Sequence, residues 1–351
     1  GWPVEVWNEP NLGGFWKDAD MEEYFRLFRV TFRAVKEVDS RFRVGGPAVC
    51  GVEDEKWIRL FLEFCEREQL SVDFITRHHY TTETPEQQGH YGYARLRDPE
   101  EGFANLQTTR DIVDSFEAYR GKEIHITEFN TSYVPNCPLH DTNRNAAYIA
   151  HQLSRLGDVN TSFSYWTFGD IFEEFGVPFT PFHGGFGLVA DGGIPKPTFW
   201  TFAFYKKLKE KPGRCIYRDD QMVVLEMEDG SCRGVAWNMT EKRSGEDFMF
   251  RLELSAGEEG CLVLQTVDEI CCNPLKVWHD LGEPSSLTSQ ELELLKRAAQ
   301  PFVETRRIAP RDGRVELAFP LRENGVVYFS WEPCQVRPDN GYSYERVMQY
   351  L

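Results

Sequence analysis

No stretch of this chain approaches the roughly 20 apolar residues that a membrane-spanning helix needs, so no membrane partner is expected. No strand-like run leads into a GxGxxG turn, which weakens a nucleotide-binding reading. The nine cysteines are odd in number and scattered. Cys271 and Cys272 are adjacent, no CxxC pair occurs, and no His/Cys pair has zinc-ligand spacing. Positive charge is scarce: Lys and Arg total 39 against 56 Asp and Glu, for a net charge of -17 and a pI near 5.0. That balance argues against nucleic acid or an anionic membrane surface as partner. A signal peptide is also missing, although the chain starts at Gly1 with no initiator Met, where a removed leader would leave no trace. The scattered cysteines are expected to be reduced thiols of a cytoplasmic protein.

What is present suits a packed protein with aromatic side chains to spare for a site: 41% of residues are hydrophobic and 14% aromatic. A length of 351 residues allows two domains. Up to about residue 211, short apolar runs alternate with amphipathic stretches. Strands are expected at 4–7, 42–44, 72–80, 123–129 and 162–168. Helices are expected at 20–38, 55–68, 105–119, 142–156 and 197–208. Five strand–helix units in a row imply a parallel sheet. Polar residues at several strand ends favour a barrel over a doubly wound sheet. A (β/α)8 barrel needs eight strands, so the expected fold is a TIM barrel lacking its first three βα units, over residues 1–211.

After Lys211-Pro212-Gly213 the pattern changes. Strands expected at 221–227, 232–238, 248–254, 261–267, 314–319 and 326–331 are separated by turn residues. A helix at 286–299 begins near Thr288 or Ser289. Residues 212–351 are therefore expected to form a β-sandwich with a helical insertion.

Two glutamates stand at strand ends. Glu9 closes the segment Val4-Glu5-Val6-Trp7-Asn8-Glu9-Pro10-Asn11, and Glu128 closes Ile124-His125-Ile126-Thr127-Glu128. A barrel places its chemistry at the carboxyl ends of its strands. Two facing carboxylates are the machinery of glycoside hydrolysis. His78 and Tyr80 are two apart on one strand, so both point into the barrel, whereas His79 faces outward.

Trp7-Asn8-Glu9-Pro10-Asn11, Thr127-Glu128-Phe129-Asn130-Thr131-Ser132-Tyr133 and Tyr165-Trp166-Thr167-Phe168 resemble the signatures of glycoside hydrolase family 39, the retaining β-xylosidase family. Asp170-Ile171-Phe172-Glu173-Glu174 and Pro181-Phe182-His183-Gly184-Gly185-Phe186-Gly187-Leu188 strengthen the likeness, which runs over essentially the whole chain. The resemblance implies that Glu9 is the general acid/base, Glu128 the nucleophile, and Asn8 a hydrogen-bond partner of the sugar 2-hydroxyl. It implies that His78 and Tyr80 surround the nucleophile and that Trp166 is an apolar floor under the sugar. Phe15, Trp16 and Tyr133 lie in loops on the same side and are candidates for the aromatic lining. Glu173, Glu174 and His183 are candidates for binding the remaining hydroxyls. No metal and no cofactor is expected.

The activity implied is removal of terminal β-xylosyl units from xylo-oligosaccharides by double displacement. The alternatives are a related glycosidase, such as one acting on α-L-iduronides, or an inactive carbohydrate-binding fragment. The expected partner is a small oligosaccharide, and the resemblance suggests a homo-oligomer.

Overall fold

The computed structural model describes residues 2–172, 176–240, 245–334 and 341–348. It opens with β1 (Pro3–Glu5), α1 (Met21–Val38), β2 (Arg43–Val49), α2 (Asp54–Arg67) and β3 (Phe74–Tyr80). A small ribbon follows, β4 (Glu86–Gln88) and β5 (Tyr91–Tyr93). Then come α3 (Pro99–Ser115), β6 (Glu123–Asn130), α4 (Asn143–Ser154) and β7 (Ser162–Tyr165). A second ribbon, β8 (Val189–Ala190) and β9 (Ile194–Pro195), precedes α5 (Pro197–Leu208). Strands β1, β2, β3, β6 and β7 form one sheet in that order, and every pairing in it is parallel.

Helices cover a single face of this sheet. Tyr24 and Phe28 of α1, Trp57 and Phe61 of α2, Ile112 of α3 and Ile149 of α4 share one core with Val44, Ile75, Ile126 and Phe129 of the strands. A doubly wound sheet would need helices on both faces. One-sided cover by helices belongs to an α/β barrel-like wall. The helix starts follow from local chemistry. Asp20 accepts a hydrogen bond from Glu23 N at the head of α1, and Thr142 does the same for Asn145 N at the head of α4. Asp98 caps α3 with Pro99 in its first turn, so α3 begins six residues before the expected position. Gly45 is demanded by close approach: a Cβ there would lie 2.3 Å from the Phe74 ring on the neighbouring strand.

The rest of the chain is antiparallel. It contains β10 (Gly213–Arg218), β11 (Met222–Met227), β12 (Cys232–Trp237), β13 (Phe248–Ser255) and β14 (Gly260–Val267). These are followed by α6 (Pro274–Asp280), α7 (Ser289–Ala298), β15 (Phe302–Ile308), β16 (Arg314–Leu321) and β17 (Val326–Pro333). Six strands make a sheet in the order β10-β11-β12-β17-β14-β15, and β13 pairs with β16 in a separate ribbon. Leu264, Phe329 and Trp331 of the large sheet pack on Phe250, Leu317 and Phe319 of the ribbon. The opposite face of the large sheet, with Val235, Trp237 and Tyr328, packs on Ala147, Ala150 and Phe204 of α4 and α5. Strands β10 and β15 lie at the two edges, and the sequence reading assigned neither of them.

Candidate active site

β1 ends at Glu5, and the chain then turns sharply. Trp7 and Glu9 both take positive φ, 69° and 46°. Such backbone is uncommon for non-glycine residues and costs on the order of 1 kcal/mol or more each. The bend is pinned by Glu9 N–H to Ala48 O at 3.0 Å, and by Trp7 Nε1 to Phe15 O at 3.1 Å. It carries the Glu9 side chain to His78, where Oε1 lies 2.7 Å from Nδ1. His78 is held on β3, whose alternate residues Thr76, His78 and Tyr80 point away from the helices.

Glu128 sits beside them on β6, where the register with β3 shifts between Arg77 and His78. The Tyr80 hydroxyl donates to Glu128 Oε1. The other carboxylate oxygen lies 3.8 Å from the same His78 Nδ1. One imidazole nitrogen therefore lies close to both carboxylates. Burial opposes charge on His78, but the hydrogen bond to Glu9 and the negative charges of Glu128, Glu9 and Glu5 outweigh it and raise its pKa. Tyr80 is pushed far up by burial and by the Glu128 charge, so its phenol stays a donor. Glu5, on the same side of the sheet, has its carboxyl raised chiefly by burial.

Glu9, His78, Tyr80 and Glu128 floor a cleft of about 1270 Å³. Asn8, Phe15, Tyr133 and Trp166 also line it, together with Cys50, Phe172 and Phe186. Trp166 follows β7, and Asn130 Nδ2 donates to its carbonyl at 2.6 Å. Phe172 and Phe186 meet the Trp166 ring edge-on, at 5.7 and 6.4 Å between centroids. Tyr133 meets Tyr80 edge-on at 6.3 Å. The structure thus gathers Asn8, Glu9, His78, Tyr80, Glu128, Tyr133 and Trp166 into one cleft. His183 is not part of the cleft lining; its Nδ1 lies 3.0 Å from Thr180 O. Trp16 stacks edge-on to Trp7, outside the lining. Glu173 and Glu174 fall outside the described residues.

Two buried ionic networks brace the cleft. On one side, Asp54 Oδ2 accepts from Arg77 NH2 at 2.8 Å and from Gly51 N at 3.0 Å. Asn11 bonds the Cys50 and Val52 carbonyls and the Cys50 N–H. Arg77 also reaches the His78 carbonyl and Thr109 Oγ1. On the other side, Lys196 Nζ lies 2.7 Å from both Asp141 Oδ1 and Asp170 Oδ2, and donates to Gly185 O. Asp141 accepts from Gly184 N and Asp170 from Gly187 N, which fixes the loop that presents Phe186. At Gly184, with φ +76°, a Cβ would fall 2.3 Å from the Cys137 carbonyl carbon.

Phe172, Phe186, Cys50 and both networks escaped the sequence reading. The two phenylalanines stood inside motifs already singled out. Nothing local in the sequence marked Asp54, which reaches Arg77 from 23 residues away.

The family model for glycosyl hydrolases family 39 matches residues 1–316. A "Beta-xylosidase" of Geobacillus stearothermophilus is 44% identical over 343 residues, 96% of this chain and 66% of that protein. A "Beta-xylosidase" of Caldicellulosiruptor saccharolyticus is 32% identical over 85% of this chain and 61% of that protein. The chain thus spans slightly less than two thirds of the length of these curated relatives. Among solved structures, the GH39 enzyme from Xanthomonas axonopodis pv. citri superposes with a TM-score of 0.85 at 29% identity, covering 95% of this chain and 68% of that one. With the paired glutamates and their cleft in place, these likenesses show that the chain belongs to glycosyl hydrolases family 39.

Proposed function

We propose that this chain carries the catalytic machinery of a retaining β-xylosidase acting on terminal β-xylosyl units of xylo-oligosaccharides. The supporting observation is the single His78 nitrogen beside both carboxylates. The Glu9 and Glu128 oxygens are no farther apart than 2.7 Å plus 3.8 Å allow. Retaining glycosidases hold their carboxyls about 5–5.5 Å apart, whereas inverting ones open to about 6.5–9.5 Å to admit water. The bound favours retention.

In the first step the Glu128 carboxylate attacks the anomeric carbon, and the bond to the departing oxygen breaks. Glu9 gives that oxygen its proton. In the second step Glu9 takes a proton from water, the water oxygen attacks the anomeric carbon, and Glu128 leaves as carboxylate. Tyr80 donates to Glu128 and so favours its ionised form. Asn8 faces the cleft, where it meets the sugar 2-hydroxyl. Trp166, Tyr133 and the two phenylalanines give an apolar surface for the ring. Glu173 and Glu174 remain candidates for the outer hydroxyls, whereas His183, outside the cleft lining, is set aside.

The xylosyl preference rests on relatives named for that activity. We read β1, β2, β3, β6 and β7 as strands four to eight of a (β/α)8 barrel over residues 1–211, with the first three units outside this sequence. We read 212–351 as a β-sandwich whose insertion is α6 and α7. The nine unpaired cysteines support a reducing, cytoplasmic location. No helix among the described residues is long and apolar enough to cross a membrane.

The test uses the natural polypeptide that carries this chain. With an aryl β-xyloside and azide, Glu128→Ala should release the inverted xylosyl azide and Glu9→Ala the retained one. Unaltered turnover in Glu128→Ala would overturn the assignment. Comparing aryl β-xyloside, α-L-arabinoside and α-L-iduronide substrates decides the glycone, and faster turnover of the iduronide would contradict the xylosyl preference.

A further inference from the structure

Cys50 follows β2 directly and lines the cleft beside Glu9. Double displacement at Glu9 and Glu128 leaves this thiol without a task. Its surroundings are nonetheless specific. A carboxylate oxygen of Glu9, Sγ of Cys50 and a ring nitrogen of His78 all lie within 4.8 Å of one another. These three donors come from the bend after β1, the end of β2, and β3. Each backbone is fixed by bonds already described: Glu9 N–H to Ala48 O, Cys50 N–H to Asn11 Oδ1, and the His78 carbonyl to Arg77.

We propose that Glu9, Cys50 and His78 form a binding site for a thiophilic divalent cation of the zinc class, which occupies the cleft in competition with the glycosyl unit. Zinc takes sulfur at about 2.3 Å, imidazole nitrogen at about 2.0–2.1 Å and carboxylate oxygen at about 2.0–2.2 Å. The three donors are close enough to reach that geometry by side-chain adjustment. The main change is a widening of the 2.7 Å contact between Glu9 and His78 to admit the ion. One sulfur, one nitrogen and one oxygen leave a fourth position open towards the cleft. Magnesium and calcium prefer all-oxygen sites and do not suit this donor set.

The field favours a dication. Burial holds the Cys50 thiol protonated, and so do the charges of Glu9, Asp54 and Glu128. The same three carboxylates attract a metal ion. The nearby cation, Arg77, is engaged by Asp54. Binding displaces two protons, that of the Cys50 thiol and the one held between His78 Nδ1 and Glu9. The first goes to solvent and the second to solvent or to His78 Nε2, with no change in oxidation state. Binding rests on the donors alone. Only its consequence, loss of turnover because Glu9 is engaged by the metal, rests on the function proposed above.

The test starts with metal-free, reduced protein titrated with Zn2+. One tight equivalent is expected in the wild type and in Cys215→Ser, which removes an exposed thiol. That equivalent should be lost in Cys50→Ser and in His78→Gln. X-ray absorption of the wild type with one equivalent of Zn2+ should show a single sulfur bound to zinc among nitrogen and oxygen neighbours. This reading stands even where a variant fails to fold. Zinc without a sulfur neighbour, or an unchanged stoichiometry in Cys50→Ser, would overturn the site. Zinc bound through one sulfur with full turnover of an aryl β-xyloside would keep the site and refute the role given to Glu9.

Discussion

Among the described residues, the parallel half of this molecule buries complete ionic groups, and the antiparallel half does not. In the first half, Lys196 is buried with Asp141 and Asp170, Arg77 with Asp54, and His78 with Glu9. In the second half, the buried charges among the described residues are Arg233 and Asp268. Their partners, Glu210, Glu332 and Arg322, lie at the surface. Taking both members of a pair out of water costs several kcal/mol per ion, which good geometry only partly returns. The antiparallel half avoids that cost and packs apolar side chains between sheet and ribbon. The parallel half accepts it at the carboxyl ends of its strands, where each pair fixes a loop beside the cleft. Buried charge here marks the places where position matters more than stability.

The contrast can be broken at either side. Lys196→Met leaves Asp141 and Asp170 buried without a counter-charge, and a cost of about 3–5 kcal/mol is expected. The loop bearing Phe186 should loosen with it, so KM for an aryl β-xyloside should rise in the protein that stays folded. An unchanged KM would mean that the network does not position the aromatic wall. Phe319→Ala, in the antiparallel core, should cost a similar 3–5 kcal/mol by opening a cavity. Here KM and kcat of the folded fraction should be unaltered. Denaturant titration alongside steady-state kinetics measures both variants.

An effect of at most similar size, divided among several groups, follows from the imidazoles of the parallel half. His79 is pushed down to about 3, first by burial and then by Arg77. His140 is pushed down to about 4, chiefly by burial, and His151 is lowered for the same first reason. Unfolded histidines take up protons near 6.5. Below that pH the unfolded chain binds more protons than these native residues do, so stability falls as pH drops from about 6.5 to 5. Each group contributes up to about 1.4 kcal/mol per pH unit. His78 is raised, so its contribution is fully present below about 6.5 and is lost only as pH rises above that; it does not offset the acid-side loss. Unfolding midpoints that stay flat from pH 7 to 5 would contradict neutral buried imidazoles. The smallest effect is expected at the exposed Arg214–Glu226 pair on the edge strand β10, where Arg214→Ala should leave the midpoint unmoved.

The same contrast explains what was legible in the sequence. Helix α1 was readable because Tyr24, Phe25, Phe28 and Phe32 recur at helical spacing behind the Asp20 cap. Residues 74–80 were readable as a strand from their burial-prone run, and the alternation predicted that His78 and Tyr80 meet the two glutamates. His79, expected to face outward, is instead buried and also lines the cleft. Strand β10 escaped because all of Gly213–Arg218 is exposed and has no apolar face to reveal it. Strand β15 escaped because Glu304, Arg306 and Arg307 interrupt its apolar pattern. The ribbons β4–β5 and β8–β9 were missed because they are two or three residues long and their partners are set by turns. At the site, the two glutamates were visible because each stands near the carboxyl end of a strand within a dense motif, although β1 already ends at Glu5 and β6 runs on past Glu128 to Asn130. Asp54, Arg77 and Lys196 were not, because a buried ion pair is defined by partners distant in sequence, and an isolated charge carries no sign of being paired.

The most direct test is to find which side chain bonds to the sugar. A 2-deoxy-2-fluoro-β-xyloside with a good leaving group slows the second step more than it slows the first. The natural polypeptide should then accumulate one covalent xylosyl equivalent. Mass spectrometry of its digest should place that mass on the peptide containing Glu128. An adduct on Glu9, or no adduct together with release of an inverted product, would contradict the central claim.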